Sequence, residues 1–156
     1  MGLDMFLNAQ RFLWSSDADS TMPRSKDDDI ADAIRAALPE MGKLRPTKVF
    51  VEAAYWRKAN AIHQWFVANC QGGKDECQES YVGREELNTL LKLVTTVLDN
   101  PDQAAALLPT QSGFFFGNTQ YDEGYIQDLT YTRDQLTLLL TNEDMKHWEF
   151  YYCASW

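Results

Sequence analysis

Basic side chains are scarce in this chain, and the shortage removes one class of partner at once. Lys and Arg number 14 against 23 Asp and Glu, which leaves a net charge of −9 and a pI of about 4.6. A nucleic-acid backbone is held by clustered cations, so no backbone-binding nucleic-acid partner is expected. The acidic residues are scattered apart from Asp27-Asp28-Asp29. Scatter of that kind reads as solubility rather than as a surface imitating nucleic acid. Sulfur and imidazole are also sparse. The three cysteines, Cys70, Cys77 and Cys153, are odd in number and form no CxxC pair. With no segment that reads as a secretory signal, they are expected as reduced thiols in a cytosol. Cys70, Cys77 and His63 make a loose, incomplete zinc set, and Asp4 with Glu52 has no metal-site spacing, so no metal is expected. Long apolar runs are missing too. None approaches the roughly 20 residues that span a bilayer, and Phe6 stands where a myristoylation signal needs Ser or Thr. No GxSxG, GxxxxGK[ST], HExxH or strand-following GxGxxG occurs, so no catalytic signature and no cofactor are expected.

What the chain does have is apolar and aromatic mass. It is 156 residues long and 45% hydrophobic, which predicts one globular domain over residues 1–156. Five Trp, seven Tyr and eight Phe can fill a core and leave rings over for a surface or a pocket. Residues 3–14 alternate as a strand, and the polar stretch from Ser15 to Lys26 reads as a mobile loop. Asp27–Asp29 opens a helix with Ile30, Ala33, Ile34, Ala37 and Leu38 as its stripe. Pro39, Gly42 and Pro46 end it, and residues 48–56 have strand content. A helix is predicted over 59–69, a brief pairing at Tyr81-Val82, and a helix over 84–99 on Leu87, Leu90, Leu91, Val94 and Leu98. A short helix over 102–108, a longer one over 122–140 and a strand over 148–156 follow. Strands at the start, middle and end predict an α+β fold. It is a small, mostly antiparallel sheet covered on one face by about four helices.

Three stretches carry more polar and aromatic chemistry than a core needs. The first is Tyr55-Trp56-Arg57-Lys58-Ala59-Asn60, with His63 one helical turn beyond Asn60. A strand that ends in two cations and enters a helix gathers positive charge and free amides, which suits an anion. The second is the loop Gln111-Ser112-Gly113-Phe114-Phe115-Phe116-Gly117-Asn118-Thr119. Three successive rings on an extended segment alternate in direction, so at least one faces away from the core. The third joins Tyr121 to Tyr125 with the terminal strand. There Phe150, Tyr152, Ala154 and Trp156 look like core, while Tyr151, Cys153 and Ser155 share the other face. The candidate ligand-binding residues are therefore Trp56, Arg57, Lys58, Asn60, His63, Gln111, Ser112, Phe114, Phe116 and Tyr121. None is assigned a catalytic role, although His63 and His147 together permit an acid–base reading.

The strings Met1–Leu7, Tyr55–Val67 and Leu108–Thr119 resemble a group of small proteins encoded by tailed bacteriophages and prophages. The likeness covers the first seven residues and most of the chain from residue 43 onward; Ser15–Gly42 has no counterpart. It implies a phage origin and a host bacterial cytoplasmic location, and brings no catalytic assignment. Combined with the residues, the expectation is a non-enzymatic phage accessory protein that binds a small anionic ligand. A nucleotide used in host defence signalling is the leading example. An acidic inhibitor of a host enzyme and a small phosphodiesterase or hydrolase using His63 are the alternatives. The partner is thus a small ligand or a host protein, with no membrane, and the oligomeric state is left open.

Overall fold

Leu3, Met5, Leu7 and Ala9 are fully buried, and this alternation shows which side of the first strand faces the core. A computed structural model of the protein describes residues 2–14 and 23–156. The loop expected at 15–26 lies, over 15–22, outside the described residues. The strands are β1 (Asp4–Phe12), β2 (Lys48–Arg57), β3 (Ser80–Val82) and β4 (Glu149–Ser155). The α-helices are α1 (Lys26–Ala37), α2 (Asn60–Cys70), α3 (Arg84–Asp99), α4 (Ala104–Leu107) and α5 (Glu123–Thr141). Short 3₁₀ turns occupy Pro39–Met41, Pro101–Gln103 and Glu143–Met145. The strands form one antiparallel sheet in the order β2-β1-β4-β3, as the α+β expectation requires. The two terminal strands are therefore interior neighbours, with ladder partners on both sides. Tyr81 lies opposite Tyr151 and Val82 opposite Phe150.

The chain divides into two compact units, Met1–Ala9 with Glu52–Trp156 and Gln10–Val51. In the larger unit, Met5, Leu7, Ala54, Trp56, Phe150, Tyr152 and Val82 meet Ile62 and Phe66 of α2 in one cluster. Leu87, Leu90, Val94 and Val97 of α3 and Leu129, Leu136 and Leu139 of α5 complete it. Phe66 stacks on Tyr152 with ring centroids 4.0 Å apart and planes at 10°. The opposite face of the sheet carries the ring pairs Phe6–Tyr55 and Tyr81–Tyr151. Helix α3 follows Gly83 with Glu85 and Glu86 in its first turn and stops at Asn100-Pro101. Helix α5 starts on Asp122, whose carboxylate accepts the Tyr125 N–H.

In the smaller unit α1 corrects its predicted stripe. Asp27, Asp28 and Ala31 are its buried residues, whereas Ile30 and Ile34 are half-buried and Ala33, Ala37 and Leu38 are exposed. The reason is hydrogen bonding. Asp27 is bonded to the Arg11 guanidinium and accepts the Trp14 N–H at 3.0 Å. Asp28 closes a capping box with Ser25. A satisfied carboxylate can be buried where an unsatisfied one cannot. Trp156 departs from its predicted core face as well, being 42% exposed. Among the described residues no helix is long and apolar enough to cross a membrane.

The register of the helical layer is testable on its own leucines. Leu90 is fully buried and Leu138 is 62% exposed. In urea denaturation, Leu90→Ala is expected to lose about 2–5 kcal/mol. Leu138→Ala should change stability by no more than about 0.5 kcal/mol.

Candidate functional site

Strand β2 passes into α2 through a tight turn at Arg57-Lys58-Ala59. Lys58 adopts a left-handed conformation with φ 61°. Its N–H donates to the Leu3 carbonyl at 2.8 Å, and its own carbonyl accepts the Asn60 N–H at 2.9 Å. A non-glycine residue held at positive φ is costly and needs such anchors. The lysine stem then runs between two glycines. A Cβ on Gly117, itself at φ 85°, would stand 3.2 Å from Lys58 Cβ, and one on Gly2 would stand 3.0 Å from Lys58 Cε. Side chains at either position would displace the stem, so the glycines set where the ammonium emerges.

Asn60 joins this turn to the aromatic loop. Its amide nitrogen donates to the carbonyls of Phe116 at 3.0 Å and Asn118 at 2.9 Å. Its amide oxygen accepts the Gln111 N–H at 2.9 Å. The Leu3 N–H donates to the Phe115 carbonyl at 3.0 Å, tying the N-terminal strand to the same loop. The three phenylalanines do not alternate, because residues 114–116 form a turn, closed by the Phe116 N–H on the Gly113 carbonyl at 3.1 Å, instead of the extended segment expected. Phe116 is buried edge-on against His63 at 5.1 Å, Phe115 is half-buried, and Phe114 is 95% exposed. Gly113 makes room for Phe116, whose ring atoms lie 2.7 Å from where a Cβ would stand.

A cleft of about 190 Å³ opens where these parts meet α5. One wall is Arg57, Lys58 and the first turn of α2, whose leading N–H groups have no acceptor within the helix. Thr110, Asn118 and Gln120 of the loop form a second wall, and Asp122, Tyr125 and Asp128 of α5 a third. The charges differ in how far they are already used. Arg57 lies 3.7 Å from Asp4. Asp122 is occupied by the Tyr125 N–H at 3.1 Å and by Asn118 at 3.2 Å, and the Tyr125 bond chiefly holds its carboxyl below the usual range. Lys58 has no ion pair among the described residues. Asp128 has no side-chain hydrogen bond among them either. Burial, helped by the Asp122 charge, pushes its carboxyl up to about 6. Burial also raises the Tyr125 phenol, which donates to the Leu108 carbonyl at 2.9 Å.

Of the residues expected from the sequence, Arg57, Lys58 and Asn60 line the cleft. The others are elsewhere. Trp56 is buried, its indole donating to Thr132 Oγ1 at 2.8 Å. His63 is 0% exposed and both ring nitrogens are engaged. Nδ1 is hydrogen-bonded to the Tyr152 hydroxyl at 2.8 Å, and Nε2 to the Asp75 carboxylate at 3.0 Å. Asp75 also accepts the Trp156 indole N–H at 3.1 Å, so the network ties the 71–79 loop to the end of β4. No nitrogen of His63 is free to meet a substrate. Gln111 contributes its backbone N–H to Asn60, and its side-chain oxygen is buried without a partner among the described residues. Ser112 is exposed, Phe116 is core, and the Tyr121 hydroxyl accepts the Thr110 N–H at 3.3 Å. The cysteines are free thiols, with Cys70 pushed up to about 11 chiefly by burial.

Thr110, Gln120 and Asp128 were missed, whereas Asn118, Asp122 and Tyr125 fall within the polar and aromatic stretches but were not among the candidates. One signal was readable. Tyr125, Asp128, Leu129 and Thr132 share a helix face, so Asp128 and Thr132 interrupt a stripe that is otherwise apolar. No family model, curated protein or solved structure matches the chain.

Two outcomes follow from this geometry. Asn60→Ala removes three hydrogen bonds and strands two carbonyls, and should cost about 1–3 kcal/mol. Hydrogen exchange should quicken across residues 111–118. Asp128 is easier to bury protonated, because its folded pKa of about 6 exceeds its unfolded value. Its contribution is therefore full at acid pH and is lost as pH rises through about 6. Asp128→Asn should melt above the native chain at pH 7.5, and the gap should close below about pH 4, as calorimetry at both pH values would read.

Proposed function

We propose that the protein is a non-enzymatic binder of a small anionic ligand, with a nucleotide as the best-matched example. The setting we propose is a bacteriophage accessory protein that sequesters a host defence signal in the bacterial cytoplasm. The observation that carries the binding reading is the ammonium of Lys58, unpaired among the described residues, at a cleft walled by the first turn of α2. The first-turn amides, the helix dipole and a fixed cation all favour negative charge at that point. Arg57 beside it offers a planar fork suited to phosphate or carboxylate. The cleft, at about 190 Å³, is smaller than the roughly 300–1,000 Å³ that encloses a drug-sized molecule. It suits a phosphate with one adjoining group better than an extended dinucleotide.

A binder rather than an enzyme is favoured by what the cleft's groups do. Its ionisable side chains are Arg57, Lys58, Asp122, Tyr125 and Asp128, and no nucleophile is hydrogen-bonded to a base among them. That arrangement is what acyl or phosphoryl transfer through a side chain requires. The host and defence setting rests on the phage-like residue strings alone.

The test is thermal denaturation with inorganic phosphate and a panel of linear and cyclic nucleotides. A ligand present at 100 times its dissociation constant stabilises by about 2.7 kcal/mol. In a chain of this size that raises the midpoint by roughly 5–10 °C. The Arg57→Ala/Lys58→Ala double variant should lose the rise. No shift with any probe at millimolar concentration overturns the proposal.

A further inference from the structure

We infer that the cleft selects an amphoteric ligand, one presenting an anionic group to Lys58 and the first turn of α2 and an N–H-donating amino group to Asp128. The inference rests on the anion-binding reading above and adds the second half of the ligand. Two opposite charges line one cavity, and neither is paired among the described residues. Lys58 forms no ion pair among the described residues, and the Asp128 carboxylate accepts no hydrogen bond among them. The pair faces the same space from separate walls, one on the β2–α2 turn and the other in the second turn of α5.

The half-buried Asp128 carboxylate accepts no hydrogen bond among the described residues, so a donor on a ligand meets an acceptor that only solvent otherwise serves. The adjacent carboxylate shows the contrast, since Asp122 is satisfied by the Tyr125 N–H and by Asn118. For a ligand carrying only negative charge, Asp128 is a repulsive element beside the attractive one. An amino group turns that repulsion into a charge-assisted hydrogen bond. Selectivity by this means penalises the wrong ligand as well as rewarding the right one. Two kinds of small molecule supply the chemistry: a nucleotide whose base bears an amino group, and a free zwitterionic amino acid.

Matched probes separate them. In titration calorimetry, guanosine monophosphate is compared with inosine monophosphate, which lacks only the 2-amino group. In a second arm, glutamate is compared with glutarate, and inorganic phosphate serves as the anion alone. In the arm that applies, the amino-bearing probe should bind the native chain about 10- to 100-fold more tightly than its partner. Asp128→Asn should erase most of that preference while still binding the probe without the amino group. Its melting profile shows whether it is folded. Equal affinities within both pairs, with phosphate or a probe lacking the amino group still bound, overturn the inference and leave the anion site standing. The same holds if Asp128→Asn keeps the native preference. If none of the five probes binds, both readings fall together.

Discussion

The side chain of Asn60 is the joint on which the cleft depends. It opens α2 and engages three backbone groups of a loop 51 to 58 residues further along the chain. An amide can do this because it offers both a donor and an acceptor, and here each end is used. Without it the β2–α2 turn and the aromatic loop would be held mainly by the Leu3 bonds to Lys58 and Phe115. Those bonds tie the same three segments together, so the N-terminal strand, the cationic turn and the ring-rich loop form one hydrogen-bonded unit. The wall carrying Lys58 is placed by backbone geometry, and that is the form of preorganisation a small-ligand site needs.

Burial competes with chemistry in this molecule. The residues that look most reactive on paper, His63, Trp56 and Tyr152, are the ones the core consumes. His63 sits between Phe116 and a Tyr152–Asp75 network, and Trp56 spends its indole N–H on Thr132. The polar atoms of these three side chains are each matched by a partner, which lets polar aromatics serve as core. What remains for the cleft is simpler: a lysine, an arginine, two aspartates and the amides of a helix start.

Those charges are not equivalent. Asp122 is a cap, and its carboxylate helps to start α5. Arg57 is shared with Asp4, on the side of the sheet where Tyr55 is also bonded to that carboxylate. Lys58 and Asp128 are left without partners among the described residues, and the site's specificity is argued from that pair. The net acidity of the chain therefore says little about the cleft, where a cation and helix amides face a carboxylate across about 190 Å³.

Periodicity by itself determined the elements. The strands at both ends, the helices after Gly83 and at Asp122, and the α+β class all follow from local alternation, caps and breakers, which act between near neighbours. Three cleft residues, Arg57, Lys58 and Asn60, were legible because a strand running into a helix gathers charge and amides within a few positions. Tertiary structure alone decided the rest. That His63 points into the core, that Phe116 packs on it, and that Asp128 turns into a hollow beside Lys58 all depend on which helix lies over which strand. Side chains 70 residues apart in the chain, such as Lys58 and Asp128, share a cavity only after the long-range packing is complete. The α1 stripe failed for the same reason: a hydrogen-bond partner on another segment, Arg11, made an aspartate easier to bury than an alanine.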